Sequence, residues 1–407
     1  MKKFFTPAVW LASLGYFVDI FDLLLFSIVR KPSLASLGLN EADQIQKGLM
    51  LHNLQMTGML VGGVFWGVLA DKRGRLSVLF ASILLYSLGN IANAFVHSVE
   101  AYAVCRLISG LGLAGELGAG ITLVAESLPK DQRGIGTLIV ATIGVSGAVV
   151  AGVLGETFDW RTTYLIGGAL GFALLLLRIN TAESLLFKGT QQTQGQHHIR
   201  PGNFLSLFTH RNRFKRFAHC ILVGVPIWFV VGTLIQLAPE FAKYLGVTEP
   251  VTAGRAVMFC YGGLVFGDFT SGALSQVLKH RLRVIRVFLI ALALSIVAYF
   301  SLGRAASPRT FYWLCGIMGY FTGYWALFVT IAAEQFGTNL RATVATSAPN
   351  FVRASVVPMS LVFAALRKNH DIATAAQWVG AAVLLTALIS TFFLEDTFQK
   401  DLGYHET

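Results

Sequence analysis

Apolar runs of about 20 residues, each long enough to cross a hydrocarbon layer, follow one another along almost all of the 407-residue chain. Charged residues make up only 13% of it, against roughly 25% in soluble globular domains. A soluble multidomain protein and a disordered chain are both excluded by that composition. The chain reads as an all-α membrane protein. Twelve spans are expected, at roughly 8–30, 50–70, 76–96, 100–126, 134–157, 161–180, 216–237, 252–277, 283–303, 307–333, 341–367 and 372–394. The opening Met1-Lys2-Lys3 before an apolar run has the look of a signal peptide. Asp19 and Asp22 interrupt that run, and we read it as an uncleaved first helix.

The net charge of +11 does not point to nucleic acid, because the basic residues sit in short clusters between apolar runs. Counted over alternate loops, twenty Lys and Arg lie on the side of the N-terminus and ten on the other. Lys and Arg concentrate in cytoplasmic loops, so both termini are expected in the cytoplasm of a plasma (inner) membrane protein. The four cysteines lie in apolar segments, at least 40 residues apart, and supply no metal-ligand spacing. Neither a metal nor any other cofactor is expected.

The stretch 181–215 is long and polar, and it divides the chain nearly in half. Ala125-Glu126 followed by Arg133 recurs as Ala333-Glu334 followed by Arg341, and Arg73 and Arg75 recur as Arg281 and Arg283, all at an offset of 208 residues. Each copy falls at the matching place in the order of spans. Residues 1–180 and 216–407 therefore read as two related six-helix bundles joined by a cytoplasmic linker, a duplication known in transporters.

Gly67-Val-Leu-Ala-Asp71-Lys72-Arg73-Gly74-Arg75 lies between the second and third spans. Its glycines allow close helix approach and a tight turn, and its charges can reach neighbouring helix ends. This pattern resembles the hallmark of the major facilitator superfamily, with Leu76 where a further basic residue is common. Arg106-x3-Gly110-x-Gly112 is similar to that family's fourth-helix motif. Glu126 through Arg133-Gly134, Trp160-Arg161 and Ala182-Glu183-Ser184 look like its sugar-porter and metabolite:proton symporter branches. The resemblance implies twelve helices in two bundles, a substrate cavity between them and alternating access, with no catalytic residues. It also implies a cytoplasmic gate built from Gly67, Asp71, Arg75, Glu126, Arg133, Glu334 and Arg341.

Ionised side chains at membrane depth cost from roughly 2.5 to more than 10 kcal/mol, so each charge inside a span is a candidate for function. Asp19 and Asp22 are three residues apart and share a helix face. Two carboxylates so placed tend to share a proton, and the pair resembles the Asp-x-x-Asp element of phosphate:proton and aromatic-acid:proton symporters. A structural pairing of one Asp with Arg106 or Arg353 is the alternative. Glu116, in a glycine-rich run, and Asp268 complete the candidate proton carriers. Arg106 and Arg353 come from opposite halves and suit an anion held between them, since a guanidinium binds carboxylate or phosphate with two donors. Tyr261, Tyr320, Tyr324, Trp228, Gln236 and Asn350 are candidate cavity-lining groups, Tyr320 and Tyr324 being spaced to share a face.

A nucleotide-binding loop is missing, which excludes an ATP-driven pump in this chain, and neither a His-Glu-x-x-His nor a Gly-x-Ser-x-Gly motif occurs. The partners expected are a small-molecule substrate, a proton and the lipid bilayer, with the monomer as the working unit. Proton-coupled import of a small polar solute, more often anionic on this reading, is the leading expectation. Efflux or uniport of a cationic or amphiphilic compound is the alternative, because four span acids against two span bases also fit a cation.

Overall fold

A computed structural model describes residues 7–73, 75–115, 133–186, 204–303 and 305–398. Among these residues all regular structure is helical. The first half comprises α1 (Pro7–Ser36), α2 (Glu41–Arg73), α3 (Arg75–Ala94), α4 (Val99–Leu113), α5 (Arg133–Thr157) and α6 (Trp160–Leu186). After a helical turn at Ser206–Thr209, the second half comprises α7 (Arg211–Phe229), a π-helical segment (Val230–Ile235), α8 (Ala238–Leu245), α9 (Ala253–Leu278) and α10 (Arg281–Phe300). It continues with α11 (Pro308–Thr322), α12 (Trp325–Glu334), α13 (Thr338–Ala354), α14 (Val356–Leu366) and α15 (Ile372–Ser390).

Eight stretches of the described residues are long and apolar enough to cross a membrane, and Phe80–Ala94 and Thr142–Thr157 are shorter apolar helices. Helix occupies the described part of every expected span. Of the expected 181–215 linker, 187–203 lie outside the described residues, and both flanks are largely helical. Helix α1 is longer than expected. It runs past Arg30 and through Pro32 to Ser36, so Arg30 belongs to the helix rather than to a loop.

Proline and glycine break the helices of the second half. Pro226 precedes the π-helical segment and Pro239 starts α8, so the expected seventh span is discontinuous. The expected tenth span breaks at Gly323–Tyr324, and the eleventh at Ser355 between α13 and α14. Pro358, with no N–H, cannot bond to the Ala354 carbonyl one turn back. By contrast, α6 and α15 begin alike. Asp159 accepts hydrogen bonds from the backbone N–H of Arg161 and Thr162, and Asp371 from those of Ala373 and Thr374. This side-chain cap satisfies orphan donors at both helix starts, and it recurs at matching places in the two halves.

Helices pack within halves as α1 on α5, α2 on α4, α3 on α6 and α9 on α11. Across the halves, α5 and α1 meet α9, and α2 meets α13 and α14. Close approach depends on glycine at the crossing of α9 and α11. A Cβ at Gly263 would lie 2.0 Å from the Gly316 carbonyl, and one at Gly267 would lie 1.9 Å from the Tyr320 carbonyl. Small residues four apart are the usual device for such crossings in membranes. A Cβ at the neighbouring Gly262 would meet nothing within 4 Å. Gly263→Ala should therefore cost about 1–3 kcal/mol through forced separation of the helices, while Gly262→Ala should be near neutral. Thermal unfolding of the two variants in detergent checks this, and equal melting temperatures would contradict it.

Candidate functional site

Asp19 and Asp22 are both buried on α1. Asp19 Oδ2 lies 3.5 Å from Arg353 Nη2 of α13, so a buried ion pair joins the two halves. Asp22 is flanked by Asp19, by Arg106 of α4 and by the amide of Asn90. Gly167 of α6 leaves room for it, since a Cβ there would sit 2.8 Å from Asp22 Oδ1. Asp19 thus pairs with an arginine of the far half, while Asp22 lies within the electrostatic reach of Arg106 of its own half. Of the two alternatives open in the sequence, the geometry contains the Asp–Arg contact, made by Asp19 with Arg353.

Arg106 is fully buried in an aromatic setting. Its Nη1 donates to the Tyr164 hydroxyl at 3.3 Å, and its guanidinium lies 4.8 Å from the Phe26 ring centroid. The Tyr164 hydroxyl is itself 2.8 Å from that of Tyr102, which fixes the acceptor. Arg106 Nε and Nη2 make no hydrogen bond in the protein, and neither do Arg353 Nε and Nη1. The Arg353 guanidinium faces the Trp228 ring at 6.0 Å. Two buried guanidiniums, one from each half, thus keep donors available for an anion. An anion can take both donors of a guanidinium fork at once.

The remaining predicted residues divide. Tyr261 is buried near Asp19, Arg353 and Tyr16. Asn350 is buried where Gly63 of α2 lets it approach, and Gln236 is fully buried at the end of the π-helical segment. Tyr320 and Tyr324 do not share a face, because the helix ends between them at Gly323. Tyr324 donates to the Val223 carbonyl of α7 at 3.0 Å, whereas Tyr320 stacks on Phe288 of α10. Asp268 caps α12, with Oδ1 accepting from the backbone N–H of Ala326 at 3.0 Å. Its carboxylate is engaged in holding the break after Gly323, and the glycine crossing of α9 on α11 brings it there. Glu116 and Glu126 lie outside the described residues, and of Gly67, Asp71, Arg75 and Arg133 only the backbone is described.

Residues 12–358 match the family described as Major Facilitator Superfamily. The chain belongs to the major facilitator superfamily. It is 28% identical to a putative metabolite transport protein of Haemophilus influenzae over 84% of each chain. It is 25% identical to the niacin transporter NiaP of Acinetobacter baylyi, over 91% of this chain and 89% of that one. Identity is also 25% with a gentisate transporter of Corynebacterium glutamicum, over 94% and 86% respectively. Superfamily membership and the apolar helices make this an integral multi-pass membrane protein, and its relatives are transporters rather than enzymes.

Sequence reasoning missed a set of charges in this superfamily member that pair across the two halves. Arg30 of α1 is fully buried and pairs with Glu240 of α8 at 2.6 Å, and it also donates to the Gln236 carbonyl at 3.2 Å. The signal for it was weak, because Arg30-Lys31-Pro32 reads as the basic start of a loop. Around this pair, Lys243 meets Glu41 at 2.6 Å and Arg255 meets Glu156 at 3.5 Å, again across the halves. At the opposite end Glu334 pairs with Arg281, within the second half. Arg281 is the duplicate of Arg73, so two elements of the sequence repeat meet there. Exposed ion pairs such as Lys243–Glu41 contribute little to stability, whereas removing one partner of a buried pair costs about 3–5 kcal/mol. Glu240→Gln should therefore loosen the contact between the halves at that end and Lys243→Ala should not. Spin labels on Asn40→Cys and Thr248→Cys, on opposite halves near that end, should report a longer distance in Glu240→Gln. An unchanged distance distribution would show that Arg30–Glu240 does not hold the end closed.

Proposed function

We propose that the protein is a secondary active transporter that imports a small organic anion together with a proton. On this reading twelve helices in two six-helix bundles work by alternating access in the plasma membrane, with both termini in the cytoplasm. The observation that carries it is the buried Asp19–Arg353 pair between the halves, with Asp22 and Arg106 beside it. A substrate anion and the Asp19 carboxylate compete for the same guanidinium. Protonating the carboxylate pair releases Arg353, and to that extent Arg106, to the substrate. Deprotonation restores the internal pair and favours release. Proton and anion are thereby taken up and given off together, which is the logic of symport. The two relatives named for their substrates, a niacin and a gentisate transporter, handle aromatic carboxylates, which agrees with an anion at this site.

Arg353 and Arg106 bind the anion on this reading, with Asn350 and Tyr261 around it, and Asp19 and Asp22 carry the proton. Asp268 and Tyr324 serve the helix breaks instead. The cytoplasmic gate from Asp71 and Arg75 through Glu126, Arg133, Glu334 and Arg341 closes when the other end opens.

Two sets of variants test this in proteoliposomes. Asp19→Asn with Asp22→Asn mimics the protonated pair, so the double variant should exchange substrate across the membrane yet fail to concentrate it when a proton gradient is imposed. Arg353→Lys keeps the charge but loses the planar fork, and should weaken substrate affinity by tenfold or more. Gradient-driven accumulation by the double Asn variant would refute the coupling, and unaltered affinity in both Arg353→Lys and Arg106→Lys would refute the anion site.

A further inference from the structure

His52 of α2 is buried, with 2% of its surface exposed, yet neither Nδ1 nor Nε2 has a hydrogen-bond partner in the protein. Gln236 is fully buried and both atoms of its side-chain amide are likewise without a partner. Burying such groups unpaired is unfavourable, and most proteins avoid it. Neither group is loose. The main chain of Gln236 is fixed on both sides, its N–H bonded to the Thr233 carbonyl and its own carbonyl held by Arg30. The His52 ring lies flat beside that of Phe26, at 6.5 Å and 16°.

The two come from opposite halves, and one local feature links their surroundings. The π-helical segment Val230–Ile235 ends at Gln236, and Gly232 within it faces α2 and α14. A Cβ there would lie 2.7 Å from Val356 and 3.6 Å from His52 Nε2. Such π-segments occur often at functional sites. Phe26 has His52 beside it and the Arg106 guanidinium 4.8 Å from its centroid, so a single small ligand can reach from the arginine to the histidine past one ring. Gln55, on the same face of α2 as His52, also keeps its buried Oε1 without a partner.

We propose that His52 and Gln236 form a second polar subsite, one group from each half, that binds a neutral hydrogen-bonding group on the substrate at the end away from its anionic group. This rests on the anion-site reading given above and adds to it. An imidazole and an amide each donate and accept, so the subsite takes a hydroxyl or a ring nitrogen. A plain hydrocarbon end leaves both groups unpaired and is rejected. Drawn from opposite halves, the two groups can also grip the ligand only when the halves are together.

The experiment uses the full-length protein in detergent and measures affinities for benzoate, 3-hydroxybenzoate and pyridine-3-carboxylate by calorimetry. In the parent protein, at least one of the two substituted acids should bind about tenfold tighter than benzoate, as expected for a hydrogen bond gained at a dry site. His52→Phe and Gln236→Leu should each bring that ratio to within about twofold. His52→Gln, which keeps a donor and an acceptor, should retain part of it. The ratio is the readout, so a general loss of affinity, which moves all three acids together, does not imitate the effect. Benzoate binding in each variant reports that it is folded. If both His52→Phe and Gln236→Leu keep the full preference, or if the parent shows none while Arg106→Ala still weakens benzoate binding, the subsite is wrong and the anion site stands. If the parent binds none of the acids, or binds them all as well after Arg106→Ala and Arg353→Ala, the anion reading falls and the subsite with it.

Discussion

A guanidinium buried at membrane depth needs a counter-charge, and Arg353 finds one across the middle of the molecule at Asp19. Much else in the structure follows from that contact. It ties α13 to α1, and so one half to the other. It places Asp22 next to a carboxylate already engaged, and leaves Arg106 to the aromatic groups of its own half, Phe26 and Tyr164. Because the pair is made of opposite charges on different halves, anything that neutralises one of them alters how the halves are held together. On the proposed reading, chemistry at the site and movement of the halves are one event, with no relay between them.

Helix breaks mark the second half. Pro226, Gly323 and Pro358 each fall in a different expected span, and each is associated with a break in the helix. The breaks are not left unsatisfied. Asp268 caps the one after Gly323 from a neighbouring helix, and Arg30 takes the carbonyl at the end of the π-helical segment from the other half. Polar side chains there replace hydrogen bonds that water would supply to a soluble loop, as hydrocarbon surroundings require.

The sequence was informative wherever a single residue's cost or periodicity carried the signal. Apolar runs gave the helices, the cost of intramembrane charge picked out Asp19, Asp22, Arg106 and Arg353 as buried charges, and a fixed offset related Arg281 to Arg73 and Glu334 to Glu126, though not Arg281 to Glu334. It was silent where the signal depends on three-dimensional pairing. Arg30 looked like the edge of a loop because nothing local announces that Glu240, over two hundred residues away, is its partner. Tyr320 and Tyr324 looked like neighbours because a spacing of four assumes an unbroken helix, and the ending of that helix at Gly323 depends on the Asp268 cap. His52 carried no motif at all, since its interest lies in the partners it lacks.

Gln236 is where two of these features coincide. Its backbone carbonyl accepts from Arg30, the buried partner of Glu240, and its side chain sits among the buried polar groups of the interior. The residue is a shared hinge pin. A load placed on its amide is carried through one peptide unit to Arg30, about as short a mechanical linkage as a polypeptide allows. On the proposed reading, a ligand held by that amide is therefore felt at the Arg30–Glu240 pair without passing along a helix, and breaking the pair disturbs the interior in turn.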